Sequence, residues 1–330
     1  MYNNPSMYIS SLVVNVPQSN KLTYKLSSSK ETNWKENKTE FPLYALFSEF
    51  GITQASPMGN NSLLENTTMS DLALKSVENL LEINPSIHKE ADFLLYCHET
   101  NEASLYITPT LKIKKLLHFK KLTPVSISYQ GSTAASSSLF FLETMSDEDR
   151  ISNNKKTILT TTDLICAPQI RNFFSTFPKG DASSACVISH SPGDYKILDY
   201  YQKSFPAIDQ NPYEWDTHKF LLNEQNLFQE VTVGLTEFLN KNNLQPSDLN
   251  LAIPQNLSES FFQLLRGYFK NQVHLSIREK LKENNLLNSD CFYSLHELEK
   301  QNALNKGDLI LLIQAGPLAD FGLILIRKER

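Results

Sequence analysis

A serine at the junction of a predicted strand and a predicted helix is the first residue in this sequence that could do chemistry. Residues 125–129 predict a strand, Gln130-Gly131-Ser132 predicts a sharp turn, and residues 133–144, rich in Ala, Ser and Leu, predict a helix. A side chain at such a turn lies at the amino end of the helix, where the helix dipole stabilises negative charge. Ser132 is therefore a candidate nucleophile.

A serine hydroxyl needs an adjacent general base before it becomes nucleophilic. His98 is the preferred candidate because it lies beside Glu99 at the end of a predicted strand. The alternative is that Ser132 is a structural remnant and that His98 is an ordinary hydrogen-bonded histidine. The histidines that could supply the base are His98, His190, His218 and His274.

The size and composition indicate a compact protein with two domain-sized halves. The chain has 330 residues, of which 41% are hydrophobic and 20% are charged. We expect the boundary near residue 176, with halves at 1–176 and 177–330. The formal net charge of -5 opposes nonspecific attraction to nucleic acid or to an anionic membrane, so neither is an expected partner.

The sequence predicts a cytoplasmic protein without metal or cofactor. Its N-terminus lacks a basic region followed by an apolar core, and no run of about 18 apolar residues occurs. The cysteines show no CxxC spacing, which favours buried, reduced thiols over a metal site. These cysteines are Cys97, Cys166, Cys186 and Cys291.

Two helix-then-strand units predict an internally duplicated α/β architecture. In the first, Ser70-Asp71 is expected to cap a helix, and residues 92–97 form a buried strand. In the second, a helix over 223–240 precedes a strand over 249–254. Further expected elements are a strand over 7–16, a loop or flap over 18–40, a strand over 157–162, and a terminal hairpin over 309–313 and 323–326.

Several short segments occur in an order and spacing typical of one protein family. They are Gln130-Gly-Ser-Thr133, Gly180-Asp-Ala-Ser-Ser-Ala185, residues 248–256 with Gln255, the pair Asn284-Asn285, and the hairpin with Gly316-Pro317-Leu318. Over nearly its whole length the chain resembles β-ketoacyl-acyl carrier protein synthase III of the thiolase superfamily. The resemblance implies a thiolase fold, an α/β structure whose two pseudo-duplicated halves form a layered α-β-α-β-α core.

The resemblance also implies a degenerate active site. Ser132, Gln255 and Asn285 stand where the family has its catalytic cysteine, histidine and asparagine. Glutamine cannot usefully accept a proton, and Pro317 has no N–H to contribute to an oxyanion hole. Gln255 is interpreted either as a packing replacement or as a substrate-binding group, and Asn285 either as a retained polar contact or as a surface loop residue.

Two hypotheses of different classes follow from the resemblance. The first is a noncatalytic subunit that pairs with an active, cysteine-containing ketosynthase III-like protein in fatty-acid, polyketide or secondary metabolism, with acyl-carrier protein as a further candidate partner. The second is an acyltransferase or ketosynthase that uses Ser132 on acyl-carrier protein or coenzyme A thioesters. The segment after Gln255 lacks the arginine that family members place near the phosphopantetheine entrance, which puts coenzyme A binding in question.

Overall fold

The computed structural model describes residues 6–17, 68–100, 108–147, 155–165, 176–205, 217–278, 284–316 and 320–330. Within them lie ten strands: β1 Met7–Asn15, β2 Ala91–Cys97, β3 Thr123–Ile127, β4 Lys156–Asp163, β5 Ala182–Ser189, β6 Tyr195–Ser204, β7 Leu251–Pro254, β8 His274–Leu275, β9 Leu309–Gly316 and β10 Asp320–Lys328. The helices are α1 Met69–Ile83, α2 Ile87–Glu90, α3 Pro109–Leu116, α4 Ala134–Asp147, α5 Thr217–Lys241, α6 Glu259–Phe269 and α7 Asp290–Lys300.

The strands form one ten-stranded sheet with an internal repeat. Their order is β3-β2-β4-β5-β1-β6-β10-β9-β7-β8, so the second five strands repeat the order of the first five from the opposite end. In both groups three strands pair in parallel and the remaining pairings are antiparallel. The unit from β1 to β5 thus corresponds to the unit from β6 to β10, as the predicted duplication requires. The boundary expected near residue 176 stays a prediction.

Three buried apolar clusters separate the helices into layers. Helices α1 and α3 pack on the first group of strands through residues such as Val77 and Ile113. Helices α5 and α6 pack on the second group through residues such as Phe238. Helices α4 and α7 share a third cluster with strands of both groups, through residues such as Leu139 and Phe292. This arrangement gives alternating layers of helix and sheet.

The local structure corrects two expectations and leaves one untested. Helix α1 begins after Thr68, whose hydroxyl accepts a hydrogen bond from the Asp71 N–H at 3.2 Å, so the cap is Thr68 and not Ser70. Strand β3 ends at Ile127, because Tyr129 has a φ of 59° and leaves the extended conformation. The loop or flap expected over 18–40 lies outside the described residues.

Candidate functional site

The turn that carries Ser132 connects β3 to α4. Tyr129 and Gly131 both have positive φ values, 59° and 51°, and a single 3-10 turn over Gly131–Thr133 leads into the helix. A Cβ on Gly131 would overlap the Asp320 carboxyl, so this position needs glycine for space as well as for conformation. The turn leaves Ser132 fully buried.

The hydroxyl of Ser132 is bound by a carboxylate. Ser132 Oγ donates to Glu99 Oε2 at 2.8 Å, and Lys179 Nζ binds the other carboxylate oxygen, Oε1, at 3.0 Å. The Lys179 and Glu99 side chains are only 9% and 13% exposed. An ion pair in such surroundings fixes the carboxylate in one orientation. Ser132, Glu99 and Lys179 therefore form one connected network.

The backbone amide of Ser132 is also occupied. Its N–H donates to Asp320 Oδ2 at 2.7 Å, and the Asp320 carboxyl lies between Gly131 and Gly316, where a Cβ on either glycine would overlap it. Burial, followed by the nearby charge of Glu99, raises the pKa of Asp320 to about 8. The amide that could polarise a substrate carbonyl already has an internal acceptor.

A third carboxyl group lies behind Glu99. Asp163, at the end of β4, accepts hydrogen bonds at Oδ1 from the N–H groups of Glu99 and Thr100, at 2.8 and 2.9 Å. Its Oδ2 accepts from the Asn288 N–H at 3.1 Å. Burial, followed by the charge of Glu99, raises the pKa of Asp163 to about 7. Asp163 thus holds the backbone segment that presents Glu99 to Ser132.

Gln255 and Asn285 form a second network. Gln255 Nε2 donates to Asn285 Oδ1 at 3.0 Å, and Gln255 Oε1 accepts from the Ala315 N–H at 3.1 Å. Asn285 Oδ1 also accepts from the Leu287 N–H at 2.9 Å. Both side chains are buried, so the geometry favours the polar-contact interpretation of Asn285 over the surface-loop one. The amide of Gln255 acts here as a structural bridge.

Lys179 connects the two networks, and Asn288 binds the backbone of the turn that carries Ser132. The backbone of Lys179 pairs with Asn285, while its ammonium group binds Glu99. Asn288 Oδ1 accepts from the Ala134 N–H at 3.1 Å, and its Nδ2 donates to the Gly131 carbonyl at 3.1 Å. The structure therefore brings the three predicted site residues into one region, although among the described hydrogen bonds none joins Ser132 to Gln255 or Asn285.

The described hydrogen bonds of the Ser132 hydroxyl lead to Glu99 and not to one of the four candidate histidines. His98 Nδ1 hydrogen-bonds the Thr100 carbonyl at 2.6 Å, and its ring packs on Tyr96. His190 Nδ1 is 3.1 Å from the Ser6 carbonyl, and His218 and His274 are exposed. Glu99 lies two residues beyond the end of β2, and β2 is the parallel neighbour of β3. Its place at a strand end is visible in the sequence, but its pairing with Ser132 depends on the order of the strands in the sheet. No sequence signal points to Asp320.

The remaining expectations concern Pro317, the cysteines, metal binding and membrane-spanning helices. Pro317 and Cys166 lie outside the described residues. Cys97, Cys186 and Cys291 are buried free thiols, as expected. In the described part of the chain, no group of His, Cys, Asp and Glu side chains is arranged to hold a metal ion, and no helix has the length and apolarity needed to cross a bilayer.

Comparisons with known proteins agree on the architecture. No family model matches the sequence, and no curated protein matches it. Among solved structures, ChlB3, described as an acyltransferase, is 16% identical with a TM-score of 0.71, and the match covers 98% of both chains. The synthase III from Aquifex aeolicus, a 3-oxoacyl-[acyl-carrier-protein] synthase, is 16% identical with a TM-score of 0.64, covering 97% of this chain and 99% of that one.

A third structure, a cysteine-to-serine variant of Xanthomonas campestris OleA with bound lauric acid and lauroyl-CoA, is 12% identical with a TM-score of 0.67. That match covers 98% of this chain and 99% of the other. The chain has the thiolase fold. The α/β class and the fold predicted from the sequence are thereby confirmed. In this thiolase fold, Ser132 occupies the turn before α4, which the resemblance assigns to the nucleophile.

Proposed function

We propose that this chain is a noncatalytic subunit of a ketosynthase III-like condensing complex in fatty-acid, polyketide or secondary metabolism. Its partner is an active, cysteine-containing thiolase-fold subunit, and acyl-carrier protein is a further partner. The observation that carries the proposal is the 2.7 Å hydrogen bond from the Ser132 N–H to the Asp320 carboxyl. This bond occupies the backbone amide of the residue at the nucleophile position.

The chemistry of the site supports the same conclusion. Removing one oxyanion donor costs an enzyme roughly 100- to 1000-fold in rate. Glu99, Asp163 and Asp320 surround the turn, whereas Lys179 is the cation that binds Glu99. A developing oxyanion would have to compete with the Asp320 carboxyl for the Ser132 N–H. Gln255, bound to Asn285 and Ala315, supplies no base.

The retained fold gives such a subunit a role. Strand β3 lies at one end of the sheet and pairs on one side with β2, so its other edge is open among the described strands. An open edge can accept a strand from a second chain. Val125 and Ile127 of β3 pack against the inner core, which connects that edge to the site. Buried free thiols agree with a complex in the reducing cytoplasm.

The test is co-expression with an active, cysteine-containing homologue, followed by an assay for condensation of acyl and malonyl thioesters. We expect the two chains to co-elute and the mixture to be active. Ser132→Ala in this chain should leave that activity unchanged. Turnover by this chain alone, or loss of the mixture's activity in Ser132→Ala, would contradict the proposal.

A second candidate function is supported by the 2.8 Å hydrogen bond from Ser132 Oγ to Glu99. In this mechanism Glu99 takes the hydroxyl proton while Oγ bonds to the thioester carbonyl carbon, and the C–S bond breaks to release a thiol that recovers the proton. Lys179 would hold Glu99 in place. The substrates would be acyl thioesters of acyl-carrier protein or coenzyme A.

Mass spectrometry after incubation with lauroyl-CoA separates the two candidates. That probe is chosen because a serine variant of OleA holds it. A lauroyl adduct on the peptide of Ser132 that is lost in both Ser132→Ala and Glu99→Gln would support the enzyme. An unmodified peptide, with activity in the mixture, would support the noncatalytic subunit.

A further inference from the structure

The Asp320 carboxyl fills a space that two glycines leave open. Asp320 is the first residue of β10, opposite Gly316 in the β9–β10 pairing, and it is 5% exposed. A Cβ on Gly316 or on Gly131 would overlap the carboxyl group. The carboxyl is therefore enclosed between the terminal hairpin and the turn before α4.

We propose that Asp320 is an internal blocking group whose carboxyl oxygen occupies the position on the Ser132 N–H that a substrate carbonyl oxygen would need. The inference rests on the proposed noncatalytic function and identifies how the site is closed. Two features then keep the site inactive: Asp320 occupies the amide N–H of Ser132, and position 132 has no cysteine.

The geometry supports this assignment in two ways. First, a carboxyl oxygen 2.7 Å from an amide nitrogen lies at the distance at which such an amide binds an oxyanion. Second, the blocking group is part of the same chain, so its effective concentration at the amide exceeds that of any dissolved thioester. A substrate would have to displace an acceptor that is already held by β10.

Restoring a cysteine should therefore not restore acylation while Asp320 is present. In Ser132→Cys the thiolate would attack the carbonyl of acetyl-CoA, forming a new thioester bond, and the coenzyme A thiolate would leave and take up a proton. That step needs the amide N–H of residue 132 to stabilise the oxyanion. With Asp320 still bound to this amide, we expect slow acylation.

The experiment compares Ser132→Cys alone with the same chain carrying Asp320→Ala or Asp320→Asn. The readout is the rate at which acetyl-CoA acetylates the peptide containing position 132, measured by mass spectrometry. We expect Asp320→Ala to raise the rate by roughly 100-fold, the typical value of one oxyanion donor. Asp320→Asn is the matched control, because it keeps the volume and a hydrogen-bond acceptor while removing the ionisable group.

Asp320→Asn should remain within a few-fold of Ser132→Cys. Equal rates with Asp320 and with Ala at that position would overturn the inference. An Asn variant as fast as the Ala variant would also overturn it, since charge and not occupation would then control the rate. Thermal unfolding of each variant checks that it is folded.

Two further measurements keep the inference testable if Asp320→Ala fails to fold. Asp320→Ser shortens the side chain while keeping a polar group, and it should give a similar rise. In the unmodified chain, the Ser132 amide should exchange with deuterium slowly, and rapid exchange would overturn the inference. These outcomes do not depend on a partner, so failure of the proposed function would appear separately in the co-expression assay.

Discussion

Lys179 binds Glu99 across 3.0 Å, and the lysine backbone pairs at the same time with Asn285. The lysine therefore connects a carboxylate on one side of the site to the loop that holds the third predicted site residue. Both charged side chains are nearly buried, so water cannot solvate the charge that remains if its partner is removed.

Lys179→Met should destabilise the protein by roughly 3–5 kcal/mol, because it leaves Glu99 buried and unpaired. Urea unfolding measures this free energy. The double variant Lys179→Met with Glu99→Gln should recover much of the loss. If the double variant is as unstable as the single one, the ion pair is not the source of the effect.

Stability should fall as the pH rises from about 4 to 8. Burial raises the pKa of Asp163 to about 7 and of Asp320 to about 8, well above the usual range of an aspartate. The folded state therefore binds more protons than the unfolded state in this range, and each carboxyl lowers the free energy of unfolding by up to about 1.4 kcal/mol per pH unit.

The control for this pH dependence is Asp320→Asn, whose amide stays neutral. Chemical unfolding at several pH values should show the unmodified chain losing stability relative to Asp320→Asn as the pH rises. Parallel curves for the two proteins would show that Asp320 does not titrate in the expected range.

Gly131→Ala should destabilise the protein by about 1–3 kcal/mol. The new methyl group would overlap the Asp320 carboxyl, and the position has a φ of 51°, which disfavours residues other than glycine. Gly267→Ala is the matched control, because it lies in helix α6 with open space around it. That control should be neutral or stabilising by about 0.5–1 kcal/mol. Equal midpoints for both variants in thermal unfolding would refute the steric argument.

Gln255→Leu should cost about 1–3 kcal/mol for each buried group that it leaves unpaired. The Ala315 N–H would lose its acceptor, and Asn285 Oδ1 would lose one of its two donors. The comparison is Gln301→Leu, at an exposed position beyond α7, where we expect a change within about 0.5 kcal/mol. Similar urea midpoints for the two variants would show that Gln255 has no bridging role.

The repeated elements of the fold could be predicted from the sequence because their apolar periodicity is strong. The helix with Leu227, Val231, Leu235 and Phe238 on one face is present, although it extends over Thr217–Lys241. The hairpin strands and the strand that becomes β2 are present as well. The apolar pattern that marks the buried face of each element lies within a short stretch of sequence, so the element can be predicted before the fold is known.

The partners of Ser132 could not be read in the same way. Glu99 lies 33 residues from Ser132 in the sequence, and Asp320 lies 188 residues from it. Lys179 lies 80 residues from Glu99, which it binds. Contacts of that separation depend on sheet order, which local patterns do not contain. The family resemblance directed attention to histidines, whereas the acceptor that reaches the hydroxyl is a carboxylate.

The two edge strands of the sheet differ in how many residues they could pair with a strand of another chain. Strand β3 has five residues at one end, whereas β8, at the other end of the described sheet, has two. If both edge strands paired with other chains, an open filament would form. If only one edge strand pairs, assembly stops once two sheets have joined. In the complex proposed above, the asymmetry between β3 and β8 would therefore limit strand pairing to two subunits.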